Sequence, residues 1–444
     1  MSQDNQRIAK SINADLLNTR KLIRTRILVR KINQLLFLIQ LLIFSYFFFV
    51  SALIADDGNI SLDWPQWLGP NRDGISLETR LIKSWPKEGP EVLWRTQIGE
   101  GYSGISGAQG RIYTMDSRQD DEFVVCMDAS DGEEIWRART DEKYKNGEGN
   151  GPRSTPTVDG DQVFSLSARG KLQALRADSG EKLWEHDLVP EFGSNIPGWG
   201  FSTSPLIEDN LLLVEVGGND TNSIVAFEKE TGDVAWSSHT DQPSYSSPIS
   251  ITFRGVRQII FLTAKTLVSV SPLDGQIFWK YSWEGGINIA TPIFIPEDKI
   301  FISTSYDKGS VLLQMIPEGD QFLIKEVWKS RVMKNHFNSS VLNNGHLYGF
   351  DNAILKCIEA DTGEEKWKHR GLGKGSLIYV DGHLIVLGEE GRLVLVEANS
   401  TEYIEKAGTQ ILRGRCWTSP TLAAGKLYLR DQNEMVCLDV LQRI

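Results

Sequence analysis

Tryptophan recurs at nearly regular intervals along this chain of 444 residues. Neighbouring members of the series lie 39 to 52 residues apart, and the series is Trp94, Trp136, Trp184, Trp236, Trp279, Trp328 and Trp367. A period in this range is typical of propellers and solenoids, in which each repeat is one small structural unit. Closed repeat architectures can unite several hundred residues in one domain. The repeat therefore limits the possible folds more than the length does.

The clearest repeat unit runs from Ser154 to Asp187 and contains four short stretches of alternating apolar residues. Turn-forming sequences, Asp-Gly-Asp, Arg-Gly and Asp-Ser-Gly, separate these stretches. Four strands per repeat is the composition of one propeller blade. Eight such units follow one another, and the first begins at Gly110. We therefore predict an all-β fold, an eight-bladed β-propeller over residues 91–444.

The last unit reaches the C-terminus with only three of its four strands. Trp94, in the early stretch EVLWRTQIG, belongs to no preceding unit. We predict that this N-terminal strand completes the last blade and closes the ring, because closure removes two exposed sheet edges. An open superhelix of blades is the alternative, and it would leave both edges unprotected.

Five of the tryptophans end a shared motif, small-x-acid-x-x-Thr-Gly-x-x-x-Trp, as in ALRADSGEKLW and CIEADTGEEKW. The motif resembles the tryptophan-docking motif of propellers built from PQQ-type repeats, the superfamily of quinoprotein alcohol dehydrogenases and BamB-like proteins. The resemblance covers about Glu91 to Val440 and implies that the seven tryptophans are structural. Cys126, Cys357 and Cys437 occupy the small position of separate blades, so we expect buried thiols and no disulfide.

The N-terminal region has the composition of a membrane-targeting signal. Residues 1–34 carry eight Lys or Arg against two Asp, and residues 35–54 form an apolar run long enough to cross a bilayer. The basic flank predicts a cytoplasmic N-terminus, with the remainder exported. The apolar helix is either a cleaved signal peptide or a transmembrane anchor. We expect a bacterial envelope protein, anchored in the inner membrane with a periplasmic domain, or released into the periplasm.

Between the apolar run and the ring, residues 56–90 include the stretch DWPQWLGPNRDGIS, Asp63 to Ser76. It resembles a segment that precedes the first blade in planctomycete-type PQQ-repeat proteins. Its two Trp, two Pro and turn sequence predict an ordered strap packed on the propeller. A role in ligand binding is the alternative.

The segments that lead into the innermost strand of each blade, here called the lead-in segments, meet on one face around the central channel, where propellers commonly bind ligands. They are residues 101–106, 150–156, 197–205, 243–248, 286–292, 335–340, 371–376 and 414–420. Aromatic and cationic side chains in these segments could hold a flat or anionic ligand. The candidate cofactor-binding residues are Arg153, Trp199, Asn288 and Lys374. The candidate ligand- or partner-binding residues are Tyr102, Tyr245, His336, Asn338, Arg415 and Trp417. Alternatively, all of them are solvated loop residues that fill the channel.

Motifs of catalysis are weak in this chain. Its six His show no metal-ligand spacing, and neither a phosphate-binding GxxxxGK[ST] loop nor a GxSxG sequence is present. The net charge of −11 argues against nucleic acid as a partner. We therefore expect a monomeric, non-catalytic scaffold without cofactor or metal, which binds a protein or peptide at the loop face and contacts the inner membrane through its N-terminal helix.

The alternative function is that of a periplasmic quinoprotein oxidoreductase using PQQ with calcium. In that case Trp199 would stack on the cofactor ring, and Arg153 and Lys374 would meet its carboxylates. Asn288 would assist a metal or hydrogen-bond the quinone. The dehydrogenases of this superfamily carry adjacent cysteines beside the cofactor, and this sequence has none.

Overall fold

A computed structural model describes residues 62–319 and 321–442 of the chain. The predicted cytoplasmic region, residues 1–34, and the predicted apolar helix, residues 35–54, lie outside these described residues. The part of the chain that is described holds no helix with the length and apolarity needed to cross a membrane.

The described residues form eight sheets, each with four antiparallel strands, that succeed one another along the chain, so the predicted eight-bladed propeller is confirmed. The first blade consists of β3 (Ser106–Ala108), β4 (Arg111–Arg118), β5 (Asp121–Asp128) and β6 (Glu134–Glu142), and the second of β7 (Thr157–Asp159), β8 (Gln162–Leu166), β9 (Lys171–Arg176) and β10 (Lys182–Asp187). The third blade consists of β11 (Leu206–Glu208), β12 (Leu211–Glu215), β13 (Ile224–Glu228) and β14 (Val234–Ser238). The fourth consists of β15 (Ile249–Phe253), β16 (Val256–Leu262), β17 (Thr266–Val270) and β18 (Ile277–Ser282). A short helix, α1 (Leu188–Phe192), follows β10.

The remaining blades complete the ring. The fifth blade consists of β19 (Ile293–Ile295), β20 (Lys299–Thr304), β21 (Gly309–Glu318) and β22 (Gln321–Ser330), and the sixth of β23 (Val341–Asn343), β24 (His346–Asp351), β25 (Ile354–Glu359) and β26 (Glu365–His369). The seventh consists of β27 (Ser376–Val380), β28 (His383–Leu387), β29 (Arg392–Glu397) and β30 (Glu405–Gln410). The eighth consists of β31 (Thr421–Ala423), β32 (Lys426–Arg430) and β33 (Glu434–Asp439), with β2 (Glu91–Gln97) as its outer strand. A two-residue strand, β1 (Ile75–Ser76), pairs in parallel with β27.

Burial of a strand residue depends on whether its strand is central or outermost in the blade, and the strand sequences match this difference. All five residues of β12, Leu-Leu-Leu-Val-Glu, are buried, because neighbouring blades cover both faces of a central strand. In the outer strand β14 only Trp236 and Ser238 are buried. The hydrophobic core therefore lies between blades, as a series of clusters around the ring.

The N-terminal strand closes the ring as predicted. β2 pairs with β33, and Trp94 lies opposite Cys437 across the two strands. The same pairing places Trp136 opposite Cys126 and Trp367 opposite Cys357 in their own blades. A small residue at this position leaves room for the indole. All four cysteines are buried and none is paired in a disulfide.

Six of the seven docking tryptophans join their blade to the next one by a hydrogen bond. The indole of Trp94 packs on Gly132 in the following blade and donates to the Ala129 carbonyl at 3.3 Å. Equivalent bonds run from Trp136 to Ala177, Trp184 to Lys229, Trp236 to Pro272, Trp328 to Ala360 and Trp367 to Asn399. Trp279 instead donates to Gln258 of its own blade at 3.0 Å. The next blade has no docking turn there, since its long strands β21 and β22 continue past that position.

The described part of the strap, residues 62–90, enters the channel from the face opposite the lead-in segments. Trp64 pairs antiparallel with Gly107 of β3, and β1 runs parallel to β27. Since inner strands run away from the lead-in face, the strap rises along the first blade and descends along the seventh. Its tip, residues 67–72, lies in the centre of the ring.

Arg72 anchors this tip. Its guanidinium is buried and donates to the carbonyls of Ser204 and Pro248, each at 3.1 Å, and also to the Pro205 carbonyl. Its Nε donates to Gln66 at 2.9 Å. Burial lowers the pKa of Arg72 to about 9, so it remains a cation at pH 7. A charged side chain thus ties the strap to the third and fourth blades.

Candidate functional site

A cavity of about 260 Å³ lies where the lead-in segments meet, and we call it the mouth cavity. Each of the eight lead-in segments supplies at least one side chain to it. These side chains are Tyr102, Arg153, Trp199, Tyr245, Ile289, His336, Lys374 and Trp417. Because each blade contributes from its own loop, the chemistry of the cavity is set by many distant parts of the sequence.

Seven aromatic rings follow one another in space around the cavity, and we call them the aromatic belt. Successive ring centroids lie 5.0 to 6.0 Å apart. In spatial order the belt is Tyr102, Trp417, Phe337, His336, Tyr306, Trp199 and Tyr245. Contacts in this range suit offset or tilted aromatic pairs, so the rings support one another without a ligand.

Arg153 fills the gap between the two ends of the belt. Its guanidinium carbon lies 4.9 Å from the Tyr144 ring centroid and 5.8 Å from that of Tyr102. Its Nη2 donates to the Gly149 carbonyl at 2.7 Å, and Nη1 donates to the Gly151 carbonyl. Burial lowers the pKa of Arg153, yet guanidinium remains charged at neutral pH. These contacts fix a cation in the wall of the cavity.

Tyr144, beneath Arg153, is itself held by a buried carboxyl group. Glu122 accepts hydrogen bonds from the backbone N–H of Tyr144 and of Ala168, both at 3.1 Å. Burial raises the pKa of Glu122 to about 7. Glu122 therefore positions the aromatic surface on which Arg153 rests.

Lys374 places a second cation across the cavity. Its Nζ lies 3.5 Å from Nε2 of His336, and its backbone N–H donates to Glu389 at 3.0 Å. The other carboxylate oxygen of Glu389 accepts from the Trp417 indole at 3.0 Å. Burial, together with the Lys374 charge, lowers the pKa of His336 to about 4, so this ring is neutral at pH 7. A neutral imidazole is able to accept from Lys374.

Among the described residues, Arg153 and Lys374 form no salt bridge to a carboxylate, but the Glu122 carboxyl group lies close enough to Arg153 to act on its charge. Arg415 stands on the rim, 4.6 Å over the Trp417 ring, and donates to the Glu148 carbonyl at 3.0 Å. The Glu148 side chain also borders the cavity. The cavity wall therefore offers two cations without direct ion-pair partners, beside a rim of mixed charge.

The floor of the cavity comes from the strap. The Trp67 ring lines the cavity, and its Nε1 donates to Thr291 Oγ1 at 2.9 Å. Immediately beyond Trp67, the buried Leu68 and Arg72 occupy the channel. The cavity therefore opens only on the loop face and ends at an indole.

The structure brings seven of the ten predicted binding residues together around this cavity, with Arg415 at its rim. Asn288 and Asn338 are instead buried behind the wall. Asn288 donates to the Thr263 carbonyl and accepts from Thr304 Oγ1, each at 2.7 Å. Asn338 donates to the Gly375 carbonyl. Both amides hold lead-in segments in place and face away from the cavity.

Three aromatic lining residues were not singled out by the sequence pattern. Phe337 follows His336 in a lead-in segment. Trp67 belongs to the strap, and Tyr306 lies in the turn between β20 and β21, outside any lead-in segment. Tyr306 and Asp307 have φ values of 54° and 62°, a left-handed conformation that is uncommon for residues other than glycine. Such strain is frequent at binding sites, but backbone angles cannot be inferred from the residue type.

PQQ and calcium, the cofactor and metal of the alternative function, would require different groups in this cavity. Arg153 and Lys374 would suit a carboxylated ring, with Trp199 as a stacking surface. Asn288 does not fit a metal-binding role, because its amide groups are committed to the backbone and to Thr304. Within residues 62–319 and 321–442, no three His, Cys, Asp or Glu side chains converge in an arrangement that could hold a metal ion.

The profile of the family described as outer membrane protein assembly factor BamB matches residues 82–191 and 146–369. The chain belongs to this family. BamB of Yersinia pestis is 22% identical over 374 residues, which cover 78% of this chain and 88% of the relative. BamB of Shewanella oneidensis is 21% identical over 378 residues, covering 78% of this chain and 87% of the relative.

Solved structures share the fold. The crystal structure of BamB from Moraxella catarrhalis covers 79% of this chain and 99% of its own, with a TM-score of 0.56 and 15% identity. Quinohemoprotein alcohol dehydrogenase from Comamonas testosteroni covers 88% of this chain and 82% of its own, with a TM-score of 0.62 and 11% identity. At these identities the likeness concerns the propeller architecture.

Proposed function

We propose that this chain is a non-catalytic binding scaffold of the bacterial cell envelope, and that its loop face holds a segment of a protein partner. The observation that carries the proposal is the convergence of all eight lead-in segments on one aromatic cavity. Membership of a family described as an outer membrane protein assembly factor supports a protein partner.

The aromatic belt has the properties of an interface anchor. Large aromatic side chains contribute much of the binding energy at protein interfaces, above all in pockets that exclude water. Several belt residues are fixed before a ligand arrives. The Tyr102 hydroxyl donates to the Glu148 carbonyl at 2.7 Å, and the Tyr245 hydroxyl accepts from the Trp199 backbone at 3.2 Å. Such preorganisation lowers the entropy cost of binding.

The proposed exported location is supported by the basic residues 1–34 and the apolar residues 35–54. Protease added to intact spheroplasts should degrade the propeller and spare a cytoplasmic control protein. Resistance of the propeller until the membrane is lysed would contradict export. The mass of the mature N-terminus would then distinguish a cleaved signal peptide from an anchor.

Photo-crosslinking in cells that express the full chain tests the proposed binding face. A photoreactive residue replaces Tyr306, which lines the cavity and is 46% exposed, or Leu273, which lies outside the cavity lining and is 85% exposed. We expect a discrete crosslinked partner from position 306 and none from position 273. Adding Trp199→Ala and Trp417→Ala should reduce that crosslink by about tenfold, because two anchor rings are lost. Equal capture at both positions would refute the proposal.

A quinone-dependent oxidoreductase is the second candidate function. It is favoured by Arg153 and Lys374, two cations beside aromatic rings that suit a planar polycarboxylate. The full chain mixed with PQQ and calcium is the direct test. We expect neither a bound-quinone absorption band nor dye-linked alcohol oxidation. Appearance of both would favour the oxidoreductase over the scaffold.

A further inference from the structure

We infer that the mouth cavity recognises the C-terminal end of a polypeptide partner, by its last aromatic side chain and its α-carboxylate. The inference rests on the proposed function and specifies the ligand of the same site. Three features of the cavity carry it: a closed floor, two cations that form no salt bridge within the described part of the chain, and the aromatic belt.

The closed floor selects a chain end. Trp67 ends the cavity, and the strap tip behind it is held by the Arg72 bonds to the third and fourth blades. A polypeptide cannot pass through the channel while the strap occupies it. The volume of about 260 Å³ is also below the roughly 300–1,000 Å³ of pockets that enclose drug-sized ligands. The cavity therefore has room for the tip of a chain.

The two cations select a carboxylate at that tip. Arg153 uses two of its five N–H groups on the Gly149 and Gly151 carbonyls, which leaves three for a ligand. The ammonium group of Lys374 has one hydrogen-bond partner among the described residues, Nε2 of His336 at 3.5 Å. Both side chains are half-buried. A ligand carboxylate would give them a counter-charge in direct contact, whereas Glu122 acts on Arg153 only from a longer distance.

The belt selects an aromatic side chain beside that carboxylate. Its rings form the walls, and Ile289 adds an aliphatic contact. A cationic ligand is disfavoured, since Arg153 already lies over Tyr102 and Tyr144, and Arg415 lies over Trp417. Two carboxylates oppose an anion. Glu148 is exposed at the rim, where water screens it, and Glu389 accepts from the Trp417 indole and the Lys374 backbone N–H.

Isothermal titration of the purified full chain in detergent tests the inference with four probes. They are a short peptide that ends in tyrosine with a free carboxylate, the same peptide amidated, the same peptide ending in alanine, and N-acetyl-tyrosine. We expect the free-acid tyrosine peptide to bind best, and amidation to weaken it by about tenfold, as the loss of one charge-assisted hydrogen bond does. Equal affinity of the acid and the amide would overturn the inference. Equal affinity of N-acetyl-tyrosine and the peptide would also overturn it, because the cavity would then bind free aromatic acids.

Variants of Lys374 and Trp67 separate the contribution of the cation to peptide binding from that of the cavity floor. Lys374→Gln should weaken the free-acid peptide and leave the amidated peptide unchanged, whereas Lys368→Gln, on the exposed outer strand β26, should change neither. Trp67→Ala removes the floor ring and should weaken both peptides alike. Melting temperatures confirm that each variant folds, and Lys374→Arg, which keeps the charge, should restore most of the preference for the acid.

The inference and the proposed function can fail separately. If position 306 still crosslinks a partner in cells but no chain-end peptide binds, the scaffold function stands and the chain-end ligand is wrong. If no partner is captured while the free-acid peptide still binds above its amide, the chain-end chemistry stands and the scaffold function falls.

Discussion

At the scale of single residues, buried charged groups hold the two ends of the propeller together. Arg430 of β32 is buried in the last blade and reaches into the first. Its Nη1 donates to the Met115 carbonyl and to Thr114 Oγ1, each at 2.9 Å, and Nη2 donates to the Gly99 carbonyl at 3.1 Å. Burial lowers the pKa of Arg430 to about 10, which still leaves it protonated at pH 7.

Replacing Arg430 by methionine should destabilise the fold strongly. The variant keeps much of the side-chain volume but leaves several buried carbonyls without donors, at a cost of roughly 2–4 kcal/mol in the free energy of unfolding. Urea denaturation measures this loss. Arg176→Met is the control, since the Arg176 side chain pairs on the surface with Asp178, and its urea midpoint should not change. Equal midpoints for Arg430→Met and wild type would show that the carbonyls find other donors.

A buried carboxyl group should make stability depend on pH. Glu215 accepts from the Ser244 N–H and the Ser244 hydroxyl, both at 2.9 Å, and burial raises its pKa from 4.5 to about 8. Between these values the folded protein binds more protons than the unfolded chain, so stability falls as pH rises towards 8. Glu215→Gln keeps the hydrogen-bonding shape without the charge. We expect it to be more stable than wild type at pH 9 and to differ little at pH 5.

Urea midpoints at pH 5, 7 and 9 for wild type and Glu215→Gln check this expectation. Glu228→Gln, at the partly exposed end of β13, serves as control and should follow the wild-type curve. Parallel pH curves for wild type and Glu215→Gln would mean that Glu215 is ionised in the fold at pH 5.

At the scale of elements, the turn between the third and fourth strands of a blade contacts the docking tryptophan of the preceding blade. Gly132 has a φ of 76° and lies against the Trp94 ring, where an added Cβ would come within 2.7 Å of the indole. Gly110 has nearly the same φ, 75°, but an added Cβ would meet nothing within 4 Å. The two glycines thus differ in packing and share a backbone conformation.

Alanine at these two positions should separate packing from backbone strain. Gly110→Ala should cost about 1 kcal/mol, the left-handed penalty of a residue with a Cβ. Gly132→Ala should cost about 1–3 kcal/mol more, because the indole must move. Thermal and urea unfolding of both variants provide the comparison. Equal losses would mean that the docked tryptophan adjusts freely.

At the scale of the whole molecule, closure depends on two segments that are early in the sequence. β2 completes the eighth blade, and the strap contacts all eight blades inside the channel. Its contacts include Trp64 with Gly107, Pro65 with Val158, Arg72 with Ser204 and Pro248, Trp67 with Thr291, Gly74 with Val341, Gly74 with Tyr379, and Glu78 with Gly425. An unclosed set of blades would lack both restraints.

Hydrogen exchange should reveal which blades depend on the closing strand. Trp94→Ala removes an indole packed between the last and first blades, a loss of about 3–5 kcal/mol. We expect faster amide exchange in β4, β5, β32 and β33, with β16 and β17 little changed. Trp236→Ala, in the middle of the ring, should instead accelerate exchange in the third and fourth blades. Uniform acceleration by Trp94→Ala would show that the ring unfolds only as a whole.

Much of the molecule follows from local sequence. The alternating apolar stretches, the turn glycines and the spaced tryptophans determine the blades, because each acts over a few neighbouring residues and repeats. The unpaired strand at Trp94 and the incomplete last unit together determine the closure. The lead-in segments indicate the binding face, since each one precedes an inner strand.

Only the tertiary structure decided how those segments combine into a cavity. Asn288 and Trp199 both lie in lead-in segments. The Asn288 amide is hydrogen-bonded to the Thr263 carbonyl, whereas the Trp199 ring lines the cavity. Trp67 and Tyr306 reach the same cavity from a strap and an inner turn. The side that a loop residue faces depends on contacts with distant blades, and no local period encodes those contacts. The sequence by itself thus determined the ring and its closing strand, and packing across the ring decided the floor, the belt and the cations of its site.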